Sequence, residues 1–368
     1  MNSNPLSRRT FLAAAAGPAV LRAQTSSDVL RVAFVGTGNR GSYLLENMLK
    51  VQGVQVVAVC DIASDRADRA ATAVGKAGGR ARTWSDFRKM LDEQTDIDAV
   101  VLATPDWTHK EFDIEVLSRG KHLYAEKPLA LSVSDCDAVV AAAARAKGIF
   151  QVGLQLRHDP TINASERFIH DGGIGKVLQC HGMRHGGDLP HDIPWYFDKT
   201  KCGDIMVDQG IHILDLFTWA IGSHPARALG SGGLNLFVND PAGRSVMDNY
   251  NVIFEYPGGE RVNFSHHYFD PPGFSGIQQR VFGSTGAIDI QKATWSPREK
   301  GGSHKLPVLD DGQDSTYMSL AAFADNVRHH RQPLNSAESA RISTLQVIMG
   351  TRAVHERRIV TWDEIVAG

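Results

Sequence analysis

The sequence predicts an α/β protein in two domains: an N-terminal parallel sheet interleaved with helices, then an α+β half with a large, mostly antiparallel open sheet. Three observations predict it. Short β-rich runs alternate with helical patterns through residue 153, which is how a parallel sheet is assembled. After residue 177 the strand-like runs are instead joined by turn signals such as Pro257-Gly258-Gly259 and Ser284-Thr285-Gly286. A chain of 368 residues also exceeds what one hydrophobic core usually organises.

The first 24 residues read differently from the rest. Ser7-Arg8-Arg9-Thr10-Phe11-Leu12 precedes a small, apolar run from 13 to 21, with a cleavage point expected after Ala23. Paired arginines ahead of a short, weakly hydrophobic stretch resemble a twin-arginine export signal, and the run is too short to span a bilayer. The expected organisation is a signal at 1–24, a first domain at 28–154 and a second at 155–368, with a periplasmic or otherwise exported location and no integral membrane span. With 42% hydrophobic and 22% charged residues the remainder is an ordinary folded protein. A net charge of -2 provides no basic field to draw it to nucleic acid, so a small or neutral partner is expected. Cys60, Cys136, Cys180 and Cys202 are scattered without a CxxC pair, and no HxH or HExxH spacing occurs, so free thiols and no metal site are expected.

Residues 30–35 form a β-rich run leading directly into Gly36-Thr37-Gly38-Asn39-Arg40-Gly41 and a helical pattern through Leu44, Leu45, Met48 and Leu49. In a strand, glycine turn and helix of this kind the first glycine makes the tight turn. The second lets backbone approach a pyrophosphate and the third lets helix and strand pack closely, with the helix N-terminus facing the phosphates. A second strand, 54–60, ends in Asp61, 20 residues after Gly41, where a carboxylate can accept hydrogen bonds from ribose hydroxyls. The constellation predicts a Rossmann domain. Asp61 repels a 2′-phosphate, so NAD is favoured, while Arg66 one helical turn on leaves NADP open. Strands at 99–103, 122–125 and 150–153, separated by helices at 84–93, 108–119 and 132–146, continue the sheet. Ligands of such sheets sit beyond the carboxyl ends of the strands, where three polar clusters fall: Thr104-Pro105-Asp106-Trp107-Thr108-His109, Glu126-Lys127-Pro128, and Gln155 with Arg157.

On the strength of Ala125-Glu126-Lys127-Pro128-Leu129 the chain resembles, over nearly its whole length after the signal, the glucose-fructose oxidoreductase, inositol dehydrogenase and rhizopine-catabolism (Gfo/Idh/MocA) family. The likeness includes the strand, turn and helix at 30–49, the Thr104-Pro105 to His109 segment, the Glu126-Lys127-Pro128 triplet, and Gly203 to His212 followed by Leu214-Asp215-Leu216. It implies a nicotinamide-dependent sugar or polyol oxidoreductase whose reaction site is lined by Lys127, Asp208 and His212. The cofactor contacts implied or read directly are Gly36, Thr37, Gly38, Asn39, Arg40, Gly41, Asp61, Thr104, Pro105, His109, Glu126, Lys127 and Gln155. The chain departs from the family in carrying fewer glycines ahead of Asp208, which bears on the pocket wall and substrate choice.

Residues 208–221 read as a helix, so Asp208 and His212, four apart, project from one face. Oxidising an alcohol requires a base for the hydroxyl proton and stabilisation of alkoxide character. His212 is expected to exchange the proton, Asp208 to orient it or bind a neighbouring hydroxyl, and Lys127 to hydrogen-bond the reacting oxygen, with the roles of His212 and Lys127 open to exchange. Substrate contacts are expected from Arg157, His185, Trp195 and Tyr196. Arg157 either clamps an acidic group or braces the domain junction, and the two aromatics either flank a sugar or pack in the core. His266 and His267 lie on one strand, 261–269, so only one can point to a given face. The alternative is a redox-recycling glycosidase or lyase that keeps its NAD; a non-catalytic sensor is disfavoured by the intact Lys127, Asp208 and His212.

Further strands are expected at 177–184, 226–237, 248–256, 260–269 and 277–290, with an exposed loop at 296–315. Helices are expected at 160–171, 208–221, 316–330 and 336–354, followed by a short strand at 358–361. Helices at 160–171 and 208–221 can cover one sheet face and leave the other to a second subunit, so a homodimer or homotetramer is expected.

Overall fold

The computed structural model describes residues 29–309 and 312–368; the expected export signal lies outside them. The first sheet contains β1 (Leu30–Val35), β2 (Val54–Cys60), β3 (Arg82–Trp84), β4 (Ala99–Leu102), β5 (His122–Ala125) and β6 (Phe150–Val152) in the order β3-β2-β1-β4-β5-β6. Every adjacent pair is parallel. Its inner strands β1 and β4 are valine-rich and buried along nearly their whole length, because the connecting helices α1 (Asn39–Met48), α2 (Ser64–Lys76), α3 (Phe87–Glu93), α4 (His109–Ser118) and α5 (Val133–Arg145) pack on the sheet. The expected helix at 84–93 is shorter, since Trp84 ends the edge strand β3 and Asp86 caps α3 by accepting from the backbone amides of Arg88 and Lys89.

The second half opens with α6 (Pro160–His170) and β7 (Val177–His185). It continues through α7 (Lys199–Cys202), α8 (Ile211–Ile221), β8 (Arg227–Gly233), β9 (Asn249–Glu255), β10 (Arg261–His267), β11 (Gly276–Gly283), β12 (Gly286–Asp289), β13 (Thr294–Pro297) and β14 (His304–Lys305). It closes with α9 (Ser315–His329), α10 (Ala337–Glu356), β15 (Val360–Thr361) and α11 (Trp362–Ala367). The nine-stranded sheet runs β14-β13-β12-β11-β7-β10-β9-β8-β15, antiparallel throughout except for the β7–β10 pair. The expected strand at 277–290 is divided by the turn at Ser284-Thr285, and part of the expected loop at 296–315 is a short hairpin of β13 and β14.

Alternation along β9 fixes the two faces of this sheet. Tyr250, Val252 and Phe254 are buried toward the helices, whereas Asn251 and Ile253 face away. A Cβ on Gly182 would strike Phe217 and Ile213 of α8, and one on Gly230 would strike Val354 of α10, so these helices sit directly on the strands. The other face stays open, a shallow depression of about 960 Å³ bordered by His181, Met183, Leu229, Ile253 and Ile359. Late in sequence, α9 returns to the first sheet, where Leu320, Phe323, Ala324 and Val327 share a core with Val32, Phe34, Leu44 and Tyr124. Burying such side chains contributes roughly 1.5–3 kcal/mol each, which anchors the two halves to each other.

Candidate active site

The glycine turn is built as its spacing requires. Gly36 has φ +81°, and a Cβ there would come within 2.5 Å of the Ala103 carbonyl oxygen. A Cβ on Gly41 would fall 1.9 Å from the Gly36 carbonyl oxygen, which is the close helix–strand approach expected of the third glycine. Gly38 differs. Among the described residues an added Cβ would meet only the Arg66 guanidinium, at 3.5 Å, so no packing among them demands a glycine there. Open space over Gly38 fits a pyrophosphate laid against backbone, and Arg66 beside it supplies a positive partner. Thr37, Gly38, Asn39 and Arg66 border a groove of about 410 Å³. At the end of β2 the buried Asp61 accepts from the Thr37 amide at 2.8 Å and from the Ala63 amide at 2.9 Å, which fixes its carboxylate against the glycine turn.

Not every residue of the turn is free for a ligand. Arg40 donates through Nε to Glu126 Oε1 at 2.8 Å and through Nη1 to Thr316 Oγ1 at 3.2 Å, tying α1 to the end of β5 and to α9. It acts as a strut between elements. Asn39 donates to Asp192 Oδ2 at 2.9 Å and so reaches the second half across the cleft. His109, expected among the cofactor contacts, is fully buried. Its ring nitrogens pair with the carbonyls of Pro128, at 2.7 Å, and Thr104, at 3.0 Å, so it clamps two strand-end loops and presents nothing to a ligand. Thr104 Oγ1 is 2.7 Å from Thr108 Oγ1, and Pro105 accepts from Thr108, which shapes the loop beyond β4. Gln155 begins a short 3-10 turn after β6; its Oε1 is buried and without a hydrogen-bond partner among the described residues.

Beyond the strand ends, Lys127 Nζ donates to Asp208 Oδ1 at 2.6 Å and to the Asp208 carbonyl at 2.9 Å. The two side chains come from separate domains and are 14% and 9% exposed, so the pair seals the base of the cleft. Burial alone would lower the Lys127 ammonium, but the carboxylates of Asp208, Asp106 and Glu126 outweigh it and raise it, which keeps Lys127 charged. Gln209 Nε2 donates to Asp208 Oδ2 at 3.0 Å, and Arg184 donates to Gln209 Oε1. The carboxylate is thereby held at both oxygens.

The chain around Asp208 is not the plain helix expected. Met206–Gly210 forms a π-helical turn, and α8 begins only at Ile211. Widened turns of this kind are frequent at functional sites because they re-aim side chains. His212 follows on α8, and its Nδ1 is buried with no hydrogen-bond partner among the described residues. Burial, and behind it the charges of Lys127, Arg184 and Arg40, hold the His212 imidazole well below the usual histidine range. It is therefore neutral at pH 7, with an unpaired ring nitrogen. Asp106 is also buried; burial, and then the carboxylate of Asp208, push its carboxyl well above the usual range against the pull of Lys127.

The expected substrate contacts divide. Trp195 packs edge to face on Trp107, with centroids 5.5 Å apart, and the pair makes an aromatic flank next to Asp106. Tyr196 is 1% exposed and its hydroxyl meets that of Tyr268 at 3.2 Å, so it belongs to the supporting core. Arg157 is buried and forks onto Asp215 at 2.8 and 2.7 Å, which makes it the brace and removes the acid-clamp alternative. His185 points to the open face of the sheet, where Nε2 pairs with Ser265 Oγ at 2.8 Å. Its neighbour Arg184 takes the inward place, because successive residues of a strand face opposite ways. Arg184, Gln209 and Asp106 were not singled out by sequence reasoning. Asp106 sat within the polar run at 104–109 and Gln209 within the Gly203 to His212 segment, between Asp208 and His212, but Arg184 carried no local signal.

Residues 30–154 match the model of the oxidoreductase family with an NAD-binding Rossmann fold, and residues 162–289 match the Gfo/Idh/MocA C-terminal domain. The chain belongs to the Gfo/Idh/MocA family. It is 26% identical over 342 residues to inositol 2-dehydrogenase 3 of Saccharopolyspora erythraea, covering 90% of this chain and 95% of that protein. It is 32% identical over 300 residues to the 2,7-anhydro-N-acetylneuraminate hydratase of Mediterraneibacter gnavus, covering 78% and 71%. The crystal structure of myo-inositol 2-dehydrogenase from Lactobacillus plantarum has the same fold, with a TM-score of 0.77, 22% identity and coverage of 90% and 99%. As a family member the chain is an NAD-dependent oxidoreductase, and the space over Gly38 fits that cofactor.

Proposed function

We propose that this chain oxidises a secondary hydroxyl of a sugar, polyol or glycoside, with His212 as base and Lys127 as donor to the reacting oxygen. The observation that carries the reading is the contrast between the two groups. Lys127 is charged and ion-paired to Asp208, whereas His212 is neutral with an unpaired Nδ1 in the same buried site. A lysine held charged by a carboxylate is a poor base near neutral pH, which supports His212 as the base among the two role assignments that the sequence left open. NAD, when bound, supplies the hydride acceptor. The hydroxyl proton passes to the His212 imidazole as the carbonyl forms, and Lys127 Nζ stabilises alkoxide character on that oxygen. Asp208 holds Lys127 charged and in place, Gln209 and Arg184 hold Asp208, and Trp107 with Trp195 offers an apolar face to a sugar ring. The inositol 2-dehydrogenase relative supports a polyol or sugar substrate.

The test is a panel of inositols, aldoses and glycosides offered with NAD, reading NADH absorbance and product. NADH accumulating in proportion to oxidised product is the expected result. A second reading is favoured by the likeness to a hydratase of an anhydrosugar. Oxidation acidifies a neighbouring C–H, a C–O bond is eliminated, and the hydride is returned. Release or hydration of a sugar with no net NADH would establish that reading and exclude a simple dehydrogenase.

The assembly and address proposed here rest on separate features. Ile253, Phe282 and Ile359 on the open sheet face are each at least 36% exposed, an apolar surface suited to a second copy in a homodimer or homotetramer. Light scattering at micromolar concentration is expected to give a multiple of the chain mass; a monomer alone would count against it. Arg8-Arg9 ahead of the small apolar run supports export of the folded protein, checked by the N-terminal sequence of protein recovered outside the cytoplasm. No helix among the described residues is long and apolar enough to cross a membrane.

A further inference from the structure

We propose that His185, His267 and Asp270 form a binding site for a divalent transition-metal ion, zinc or a close analogue, on the open face of the nine-stranded sheet. The three groups come from the ends of two paired strands and the turn that follows. In the parallel β7–β10 register, His185 lies directly opposite His267, and Asp270 is three residues on. Their ligand atoms all lie within 4.8 Å of one another. Two imidazoles and a carboxylate are donors suited to zinc, cobalt or nickel, and such a set leaves at least one coordination position to water.

The atoms around the site are arranged as a cation would have them. Backbone bonds fix the frame: the Gly186 amide donates to the His267 carbonyl at 2.8 Å, and the Asp270 amide donates to the Gly186 carbonyl at 3.0 Å. Ser265 Oγ holds His185 Nε2 at 2.8 Å, which turns Nδ1 toward Asp270. His267 Nε2 is bonded to Asp270 Oδ1. Asp270 Oδ2 is sealed from solvent with no hydrogen-bond partner among the described residues, and His185 Nδ1 stands 3.8 Å from it. That separation is too long for a hydrogen bond. It is close to the span of two donors that share one ion at ~2.0–2.2 Å from each. The His185 and His267 rings stack at 3.7 Å, with Phe269 stacked beyond His267, so neither imidazole is free to swing away.

A bound ion pins the turn after β10 to the end of β7. Tyr268 lies between two of the ligands and reaches the opposite face, where its hydroxyl meets that of Tyr196. Occupancy therefore stiffens the wall behind the cleft without any contact between the ion and the reacting groups. The sequence reading expected no metal because it sought ligands spaced along one segment; these are brought together across strands 82 residues apart, as His185 and His267 are.

The test uses the purified full chain stripped with chelator and titrated with zinc by calorimetry and with cobalt by visible absorption. One ion per chain, a cobalt spectrum of low coordination number and a raised melting temperature are expected. His267→Ala and Asp270→Asn are expected to abolish that stoichiometry while retaining NAD affinity, the check that they fold. Ser265→Ala is expected to weaken binding by about 10–100-fold, as loss of an outer hydrogen bond to a ligand does. X-ray absorption on the zinc-loaded wild-type chain, which needs no variant, is expected to show two imidazole ligands. A folded wild-type chain that takes up no stoichiometric zinc or cobalt, binding that survives His267→Ala, or an absorption spectrum without imidazole would overturn the proposal.

Discussion

Replacing Lys127 by Met is expected to lower turnover by about 10²–10³-fold, the usual effect of deleting one donor aimed at developing negative charge. It is also expected to destabilise the fold. Lys127 and Asp208 are both largely buried, and removing one partner of a buried pair costs about 3–5 kcal/mol, because the other is left uncompensated. The two effects are separable. In Lys127→Met/Asp208→Asn the stranded carboxylate is gone, so the melting temperature should recover toward wild type while turnover stays low. Steady-state kinetics beside thermal unfolding of the single and double variants provide the check. Wild-type turnover in folded Lys127→Met would remove Lys127 from the chemistry, and recovery of turnover in the double variant would reduce its role to neutralising Asp208.

Much of this site was legible because its parts are local. Gly36, Gly38 and Gly41 act within six residues, each through its own backbone, and the Glu126-Lys127-Pro128 triplet follows directly on a strand; no tertiary knowledge is needed to place either at a strand end. Asp208 and His212 were legible for the same reason, although the π-helical turn between Met206 and Gly210 was not, since nothing in that composition distinguishes it from ordinary helix. What failed is what depends on register. His185 was chosen where Arg184 is the residue facing Gln209, and a shift of one position along a strand exchanges the two faces of a sheet. Arg157 and Tyr196 carry suitable side chains in a suitable region, but their partners Asp215 and Tyr268 lie 58 and 72 residues away. Asp215 was in view only as part of a motif. His109 illustrates the same limit. Its place beyond the end of β4, where α4 begins, was read correctly, while the two backbone carbonyls that occupy it belong to loops that only the fold brings to it.

His212→Asn is expected to lower turnover by about 10²–10⁴-fold, the usual contribution of a positioned proton-transfer group, and to change the pH profile in a direction fixed by the structure. A base must be unprotonated to act. Burial and the neighbouring cations hold the His212 imidazole well below its ordinary value, so the neutral form persists in the folded protein below the pH at which an exposed histidine would charge. Oxidation by the wild-type enzyme should therefore stay level from neutral pH down through the usual histidine range and fall only beyond it. The same depression works against stability. Below the ordinary histidine pKa the unfolded chain takes up a proton that the folded site refuses, so stability falls with falling pH at up to about 1.4 kcal/mol per pH unit for this group, until the folded pKa is reached. In His212→Asn both signatures should weaken together: the residual activity loses its acid limb, and unfolding becomes less steeply acid-sensitive. A structural histidine would show only the second change. An acid limb that persists unaltered in His212→Asn would place the base elsewhere, and Asp106, whose buried carboxyl is shifted the opposite way, would be the next group to replace.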